Sequence, residues 1–460
     1  MILRYLLLPD ILELVEAGRL NDVRSFLATQ PAQEITELLD AVDDKSGVLI
    51  FRVLPRALAG EVFSLLEPSF QNVLIKNMTK DEVKQTLAEL TPDDRTALFE
   101  ELPADVTKGL LPLLSDADRK QTLTLLSYPE NSVGRLMTDR YVCVRPEWTV
   151  SQALSHLRAN GVDSETLSMI YIVDERGRLV DDLHLRKLIL SPPLTKVADL
   201  LDGRYVSLSS LADREEAVGT FQDYDLFALP VVDSDGVLLG IVTVDDILDV
   251  AEEEATEDFH KMASVSSFQV SLKDATMGLL FRKRIGWLIG LVLVNVFTAM
   301  GIKGFQSTIE KVAILVSFMP LLIGSGGNAG SQAATLLVRA MATGDVDAKD
   351  WFRLFLRELG VSALIGAVMS AAIAVMACLM VMGDPSLQGH VLQVIGAVSA
   401  SMFAVVLMGS LIGTLLPMLL EKLHLDPATA SAPLITSVAD ILGILVYFSI
   451  ATAMLRSLLA

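Results

Sequence analysis

Between Ile285 and Leu455 the chain holds five long apolar runs, and short segments between them carry most of the charge. No other feature restricts the fold so tightly. The runs extend from Ile285 to Ile302, Val312 to about Val338, Leu359 to Met382, Val391 to Leu420 and Ala430 to Leu455. Each is long enough to cross a hydrocarbon core of about 30 Å as a helix. Lipid offers no partners to backbone amides, so segments of this kind are predicted to be helices that satisfy their own hydrogen bonds. Five crossings put the two ends of the chain on opposite sides.

Basic residues orient the bundle. "FRKR" (281–284) precedes the first run, and Arg339, Lys349, Arg353 and Arg357 lie between the second and third. The loop "GDPSLQGH" between the third and fourth has no Lys or Arg. An excess of positive charge marks the cytosolic side, so the N-terminal half is expected in the cytosol. Trp287 and Trp351 then fall at the cytosolic interface, where amphipathic rings are favoured.

Composition shows that the rest of the chain is different. A net charge of -20 and a mean hydropathy of +0.48 do not describe one uniform body. Residues 1–280 are charged and acidic, so soluble units followed by a membrane unit are implied. Acids follow the opening "MILRYLLLPDILELVEAG" at once, with no small-residue cleavage site, which predicts a first cytosolic helix and not a signal peptide. Cys143 and Cys378 are the only cysteines and read as small apolar fillers. The five scattered histidines form no transition-metal pattern. No phosphate loop, nucleophile elbow or paired histidines point to an enzyme, and no nucleic acid is expected as a partner.

Three soluble regions can be separated. Residues 1–134 repeat short amphipathic stretches that open on Pro or Asp, as in "LTPDDRTALFEELP" and "LPADVTKGLLPLLSDADR". Stacked short helices in an all-α superhelical N-domain are predicted. Next, "YIVDERGRLVDDLHLRKLI" and "PVVDSDGVLLGIVTVDDIL" align almost element by element. A βαββα unit repeated in tandem, over 135–197 and 198–250, resembles a pair of CBS modules, which usually sense ligands. The third region, 251–276, is read as a long connecting helix. Asp245, Asp246, Asp249, Glu252, Glu253, Glu254, Glu257 and Asp258 crowd its start with no Lys or Arg among them. Asp246, Asp249, Glu253 and Glu257 would follow one helical stripe and repel unless cations neutralise them. A solvated acidic linker face is the alternative. The membrane unit then occupies 277–460.

Two polar intrusions stand out in that unit. "PLLIGSGGNAGSQAATLLVRA" (320–340) collects Gly324, Gly326, Gly327 and Gly330 around Asn328, just after Pro320. Such glycines can serve close helix packing. Alternatively they open backbone carbonyls and amides to an ion, with Pro320 breaking the helix; their density favours an ion path. The last run carries Asp440 in its interior, and no Lys or Arg lies inside any of the five runs. A carboxylate there costs about 2.5–3.5 kcal/mol on insertion scales, which makes a cation its natural partner. Hard oxygen ligands suit Mg²⁺, Ca²⁺ or Mn²⁺. One carboxylate per chain makes no cage, but a symmetric dimer would supply two to an ion that keeps its water, as Mg²⁺ does.

These features together resemble the MgtE family of bacterial magnesium channels over essentially the whole chain. "PLLIGSGGNAGSQAATLLVRAMATGDV" is similar to that family's second-span signature, and "LDPATASAPLITSVADILG" to its last-span signature. The resemblance implies a homodimer in the bacterial inner membrane that conducts Mg²⁺ along its two-fold axis. It also implies a cytosolic part that closes the pore when internal Mg²⁺ is high, and a C-terminus on the outer side. By position, Asp440 matches the pore carboxylate, and Pro320, Gly324, Gly327 and Asn328 match the pore lining. Asp213, Glu215, Asp225, Asp246, Asp249, Glu254, Glu257 and Asp258 fall where sensing acids lie. Ala432 stands where an Asn can precede Pro433, and no N-domain acids are assigned.

A nucleotide is a further expected ligand of the CBS pair, held weakly or not at all. The second repeat offers Thr243 and Asp246 to ribose, but the first has His184 and Lys187 where Ser and Asp are common. Two other functions compete. An ion-coupled secondary transporter of divalent cations, regulated by nucleotide, would be expected to show inverted repeats, and none is visible. A membrane-anchored sensor would leave Asp440 and the glycines without a purpose.

Overall fold

The computed structural model describes residues 8–268, 272, 275–346, 348–381 and 389–456. Residues 1–7 of the expected first helix, 269–271 and 273–274 of the expected connecting helix, 347, 382–388 at the end of the expected third span and in the loop after it, and 457–460 lie outside that set. The described chain forms two compact units, Met1–Ala251 and Glu252–Ala460.

The first unit begins with short helices, from Leu8–Glu16 to Asp116–Leu125. Their starts are set locally. Thr79 caps Lys80–Glu89 and Glu82 reaches back to the Thr79 amide, while Thr91 and Ser115 cap the helices that follow them. Leu27, Ile35, Leu38, Ile50, Phe63 and Leu74 from successive helices fill one core, so each short amphipathic stretch is buried by its neighbours. Arg95 is buried there and held by Asp118 at 3.1 Å.

Two three-stranded sheets follow. In the first, β1 (Cys143–Val144) pairs parallel to β2 (Met169–Val173), which pairs antiparallel to β3 (Leu179–His184). β4 (Leu208–Ser209), β5 (Ala228–Val232) and β6 (Leu238–Thr243) repeat the arrangement. The tandem CBS architecture expected from the repeated phrases is present. The helix that closes the second repeat does not stop at its boundary: Val244–Met262 is one continuous helix. The acidic connecting helix therefore starts and ends earlier than 251–276. "TVDDILDVAEEEATEDFHKM" offers no Pro or Gly to interrupt it. It ends where Ser264 takes a left-handed φ of 58° and the Val265 amide turns back to the His260 carbonyl at 2.8 Å.

In the second unit five helices are long and apolar enough to span a membrane: Met277–Gly304, Ile314–Ala342, Trp351–Val381, Val391–Lys422 and Ala432–Met454. They are called the first to fifth spans below. The fourth span packs against the second, third and fifth, while the first rests mainly on the fifth. Phe318, Leu322, Val394, Val398, Tyr447 and Phe448 lie in the shared core. Tyr447 donates its hydroxyl to the Leu315 carbonyl at 2.8 Å, giving the buried phenol a partner.

Candidate functional site

The glycine-rich stretch lies inside a regular helix. The second span runs unbroken from Ile314 to Ala342 with Pro320 within it, so Pro320 does not end the helix as expected. In lipid, unmaking further ladder bonds costs more than the single amide that proline lacks. Glycine carbonyls in this span therefore stay in the helical ladder, and the expectation that they open to an ion is corrected.

The helix divides the stretch between two faces. Gly326 and Gly330 point into the fourth span, where they meet Gly409 and Gly413. A methyl on Gly413 would run into the Gly330 carbonyl, and one on Gly409 into that of Gly326. These glycines exist for close backbone approach. Pro320, Gly324 and Asn328, spaced four apart, line an exposed face, and a methyl at Gly324 would meet nothing within 4 Å. Gly327 is buried between the faces, and its added methyl would lie 3.1 Å from Thr436 of the fifth span.

The second and fifth spans cross antiparallel. Ser331 donates to the Ala432 carbonyl at 3.5 Å, Gly330 lies under Ile435, and Gly327 lies against Thr436. Gly324 lies about one turn before Gly327 on the second span, and Asp440 about one turn beyond Thr436 on the fifth. Asp440 is partly exposed, and among the described residues nothing pairs with it. Of the membrane candidates, Gly327 lies in the contact between these two spans, while Pro320, Gly324 and Asn328 line the exposed face of the second.

The cytosolic candidates do not form one site. Asp213 caps the helix Arg214–Tyr224 by accepting from the Glu215 amide at 2.9 Å, and Asp225 closes its other end with φ 51°. That helix is about 16 Å long, so within one chain Asp213 and Glu215 cannot share an ion with Asp225. Asp246 instead accepts from Thr243 at 2.5 Å and faces Asp93, Asp94 and Asp245, with Glu165 beside the same acids. Burial, then the nearby Asp93, pushes the Asp246 carboxyl up to about 8. The same causes take Asp94 to about 6; Glu165, at the exposed rim of the cluster, is raised in the same direction by partial burial and by Asp93. Asp93 is buried, with Oδ1 unpartnered. Arg140 is the base whose charge opposes the cluster at Asp93 and Glu165.

At the other end of the connecting helix Glu254, Glu257 and Asp258 lie beside Asp426, which belongs to the connector between the fourth and fifth spans. Burial, then Asp426, moves Asp258 up to about 6. Lys261 bridges Glu257 at 2.7 Å and Asp426 at 2.6 Å. Asp249 stays exposed on the helix between the two ends. Sequence reasoning missed Asp93, Asp94, Glu165, Lys261 and Asp426. Only the doubled acid of "TPDD" could have signalled Asp93 and Asp94, and it also reads as an ordinary acidic first turn. Among the described residues no three acids, histidines or cysteines already stand close enough to cage a metal.

A five-span unit with a carboxylate inside its fifth span, joined by an acidic helix to a CBS pair, has the make-up of a membrane transporter of cations. Comparison with known proteins specifies the family. The MgtE model, described as a divalent cation transporter, matches residues 319–450. The MgtE intracellular N domain matches 30–131, and the CBS domain matches 133–191 and 197–253. Magnesium transporter MgtE of Thermus thermophilus is 37% identical over 97% of this chain and 98% of its own. The Bacillus subtilis protein of that name is 33% identical over 98% of both. The chain belongs to the MgtE family. A crystal structure of the cytosolic domain of the Mg²⁺ channel MgtE with ATP, 35% identical, superposes with a TM-score of 0.51 over 53% of this chain and 99% of that one.

Proposed function

We propose that this Mg²⁺ transporter is a channel whose ion passes Asp440, and that internal Mg²⁺ closes it by binding the acids of its cytosolic half. The observation that carries this reading is Asp440 itself, a carboxylate inside the fifth span that nothing pairs with among the described residues, about one turn beyond the Gly327–Thr436 contact, in a unit whose second span has an open Pro320–Gly324–Asn328 face. A homodimer related by a two-fold axis along that face would set two Asp440 carboxylates toward one path. Two acids suit a cation that sheds its water reluctantly and is steered by charge through its hydration shell. Gly324 leaves room for that shell where a side chain would narrow the path.

Closure is assigned to the connecting helix. Asp246 with Asp93, Asp94, Asp245 and Glu165 at one end, and Glu254, Glu257 and Asp258 with Asp426 at the other, are acids whose convergence costs energy without a cation. Asp249, Asp213, Glu215 and Asp225 are kept as sensing candidates that need a second chain to complete a site. The basic residues before the first span and between the second and third support a cytosolic N-terminal half, a C-terminus outside and a bacterial inner membrane. ATP at the CBS pair has support from the relative solved with it. The expectation of weak binding in this chain rests on His184 and Lys187, and calorimetry giving a sub-millimolar Kd would end it.

Asp440→Ala in liposomes should lower Mg²⁺ flux by about a hundredfold or more while the protein still elutes as a dimer. Unchanged flux through a folded Asp440→Ala protein would remove Asp440 from the path.

A further inference from the structure

The last turn of the connecting helix is fastened directly to the connector before the fifth span. Lys261 Nζ lies 2.7 Å from Glu257 on its own helix and 2.6 Å from Asp426 Oδ2 in the connector before the fifth span. The other Asp426 oxygen accepts from the Ala428 amide at 2.7 Å, so the same carboxylate shapes the turn Pro427–Thr429 and receives the ammonium. Three residues beyond Lys261, Ser264 donates to the Ser431 hydroxyl at 2.6 Å, with both side chains buried. Ser431 immediately precedes the fifth span, yet its hydroxyl caps no amide of that helix. It is engaged with Ser264 instead. The Ser266 amide donates to the Lys283 carbonyl at 3.1 Å, and Lys283 Nζ donates to the Ser267 carbonyl at 2.5 Å, tying the same segment to the first span.

We propose that Lys261 is a tethered counter-cation: it docks the end of the connecting helix on the Asp426 connector when no divalent ion is bound. Glu254, Glu257, Asp258 and Asp426 would otherwise bring four like charges together. One ammonium within hydrogen-bond reach of two of those carboxylates occupies the position from which a divalent ion would bridge them. A divalent ion acting at this end therefore takes the place of Lys261, whose long stem lets the ammonium swing out to water. The chain carries one of its cations with it. The consequence for gating rests on the proposed function; the docking rests on geometry alone.

The test uses the full-length protein with Cys143→Ser and Cys378→Ala, to which Ser264→Cys and Ser431→Cys are added. Disulfide formation is driven by diamide, an oxidant that needs no metal, in buffer stripped of divalent ions. The parent pair should cross-link readily there. Adding Lys261→Gln should slow cross-linking by about tenfold, Mg²⁺ should restore the rate, and Lys261→Arg should retain it. Asp426→Asn should slow it in the same way, which checks the partner through a second variant. Two results would overturn the proposal: Lys261→Gln cross-linking at the parent rate without divalent ions, or a parent that cross-links only with Mg²⁺ present. Cross-linking reads docking whether or not current passes, so its failure is separate from a failure of the Asp440 flux assay.

Discussion

The carboxylate of the membrane unit and the carboxylates of the cytosolic half are held in opposite ways. Asp440 stands alone on a fifth span locked against its neighbours, in a bundle where Gly326 and Gly330 bring the fourth span to backbone contact. Asp246 is crowded by Asp93, Asp94 and Asp245, and burial makes each charge there costly. The first arrangement is framed by close backbone packing. The second changes energy with every cation or proton that arrives. Permeation needs a site that does not rearrange as ions pass, whereas sensing needs a frame whose preferred form depends on occupancy. The proposed function assigns the same residue type to both because the surroundings differ.

The largest effect that could break this comparison is on gating. Neutralising Asp246, Glu254, Glu257 and Asp258 together removes acids from both ends of the connecting helix and none from the pore. In patch recordings the internal Mg²⁺ concentration that halves the current should rise more than tenfold, with conductance unchanged. About 5.5 kcal/mol of differential binding carries a population from 1:99 to 99:1, so a few ions favouring the closed form by a kcal/mol or two each suffice. Closure at the parent concentration would make the acidic helix a solvated linker.

A second experiment sharpens the closely packed side. Gly413→Ala places a methyl against the Gly330 carbonyl, which helix backbones cannot evade, and should cost about 2–3 kcal/mol of stability in detergent unfolding. Gly324→Ala enters open space and should change stability by no more than about 0.5 kcal/mol while altering flux. Equal destabilisation by both would mean that the exposed face of the second span is packed and not open.

The divided role of these glycines marks a limit of the sequence. The apolar runs were legible because Arg284, Lys303, Arg339 and Lys422 bound them, but the helices run up to or past those charges, and the first and third begin eight residues before the runs, at Met277 and Trp351. The CBS pair was legible because its strands and turns recur in order. Asp440 was legible because a lone acid in lipid has few explanations. Which glycines pack could have been inferred from the matching spacing of Gly326 with Gly330 and Gly409 with Gly413, but their pairing is set by a crossing far apart in sequence. Lys261 with Asp426, and Asp93 with Asp246, were hidden for the same reason: each partner looks ordinary within its own segment, and only folding makes them neighbours.

The smallest effect concerns protons, and it tests whether the Asp246 end is an ion-dependent frame. The Asp246 and Asp94 carboxyls are raised to about 8 and 6, by burial first and by Asp93 next, and Glu165 at the exposed rim is raised in the same direction with a smaller, solvent-screened effect. The folded form thus binds these protons more tightly than the unfolded chain, whose carboxyls titrate near about 4. Their stabilising contribution is complete below that range and is lost progressively as pH rises from about 4 to the folded values of 6 to 8, because unfolding releases the protons these carboxyls hold and a higher pH favours that release. In divalent-free buffer, amide protection of Pro92–Glu101 and Val244–Val250, corrected for intrinsic exchange, should fall by about 1–2 kcal/mol from pH 6 to pH 8. Asp246→Asn removes the most strongly raised group and should flatten that slope while raising protection at pH 8. Mg²⁺ should flatten it in the parent as well, since a bound cation displaces the protons and replaces the neutralisation they supplied. The slope should be shallower near Lys261, where an ammonium already offsets two of the acids. A parent slope that Mg²⁺ leaves untouched would mean that the cluster answers to protons alone, and cation sensing would then have to lie at the Asp426 end.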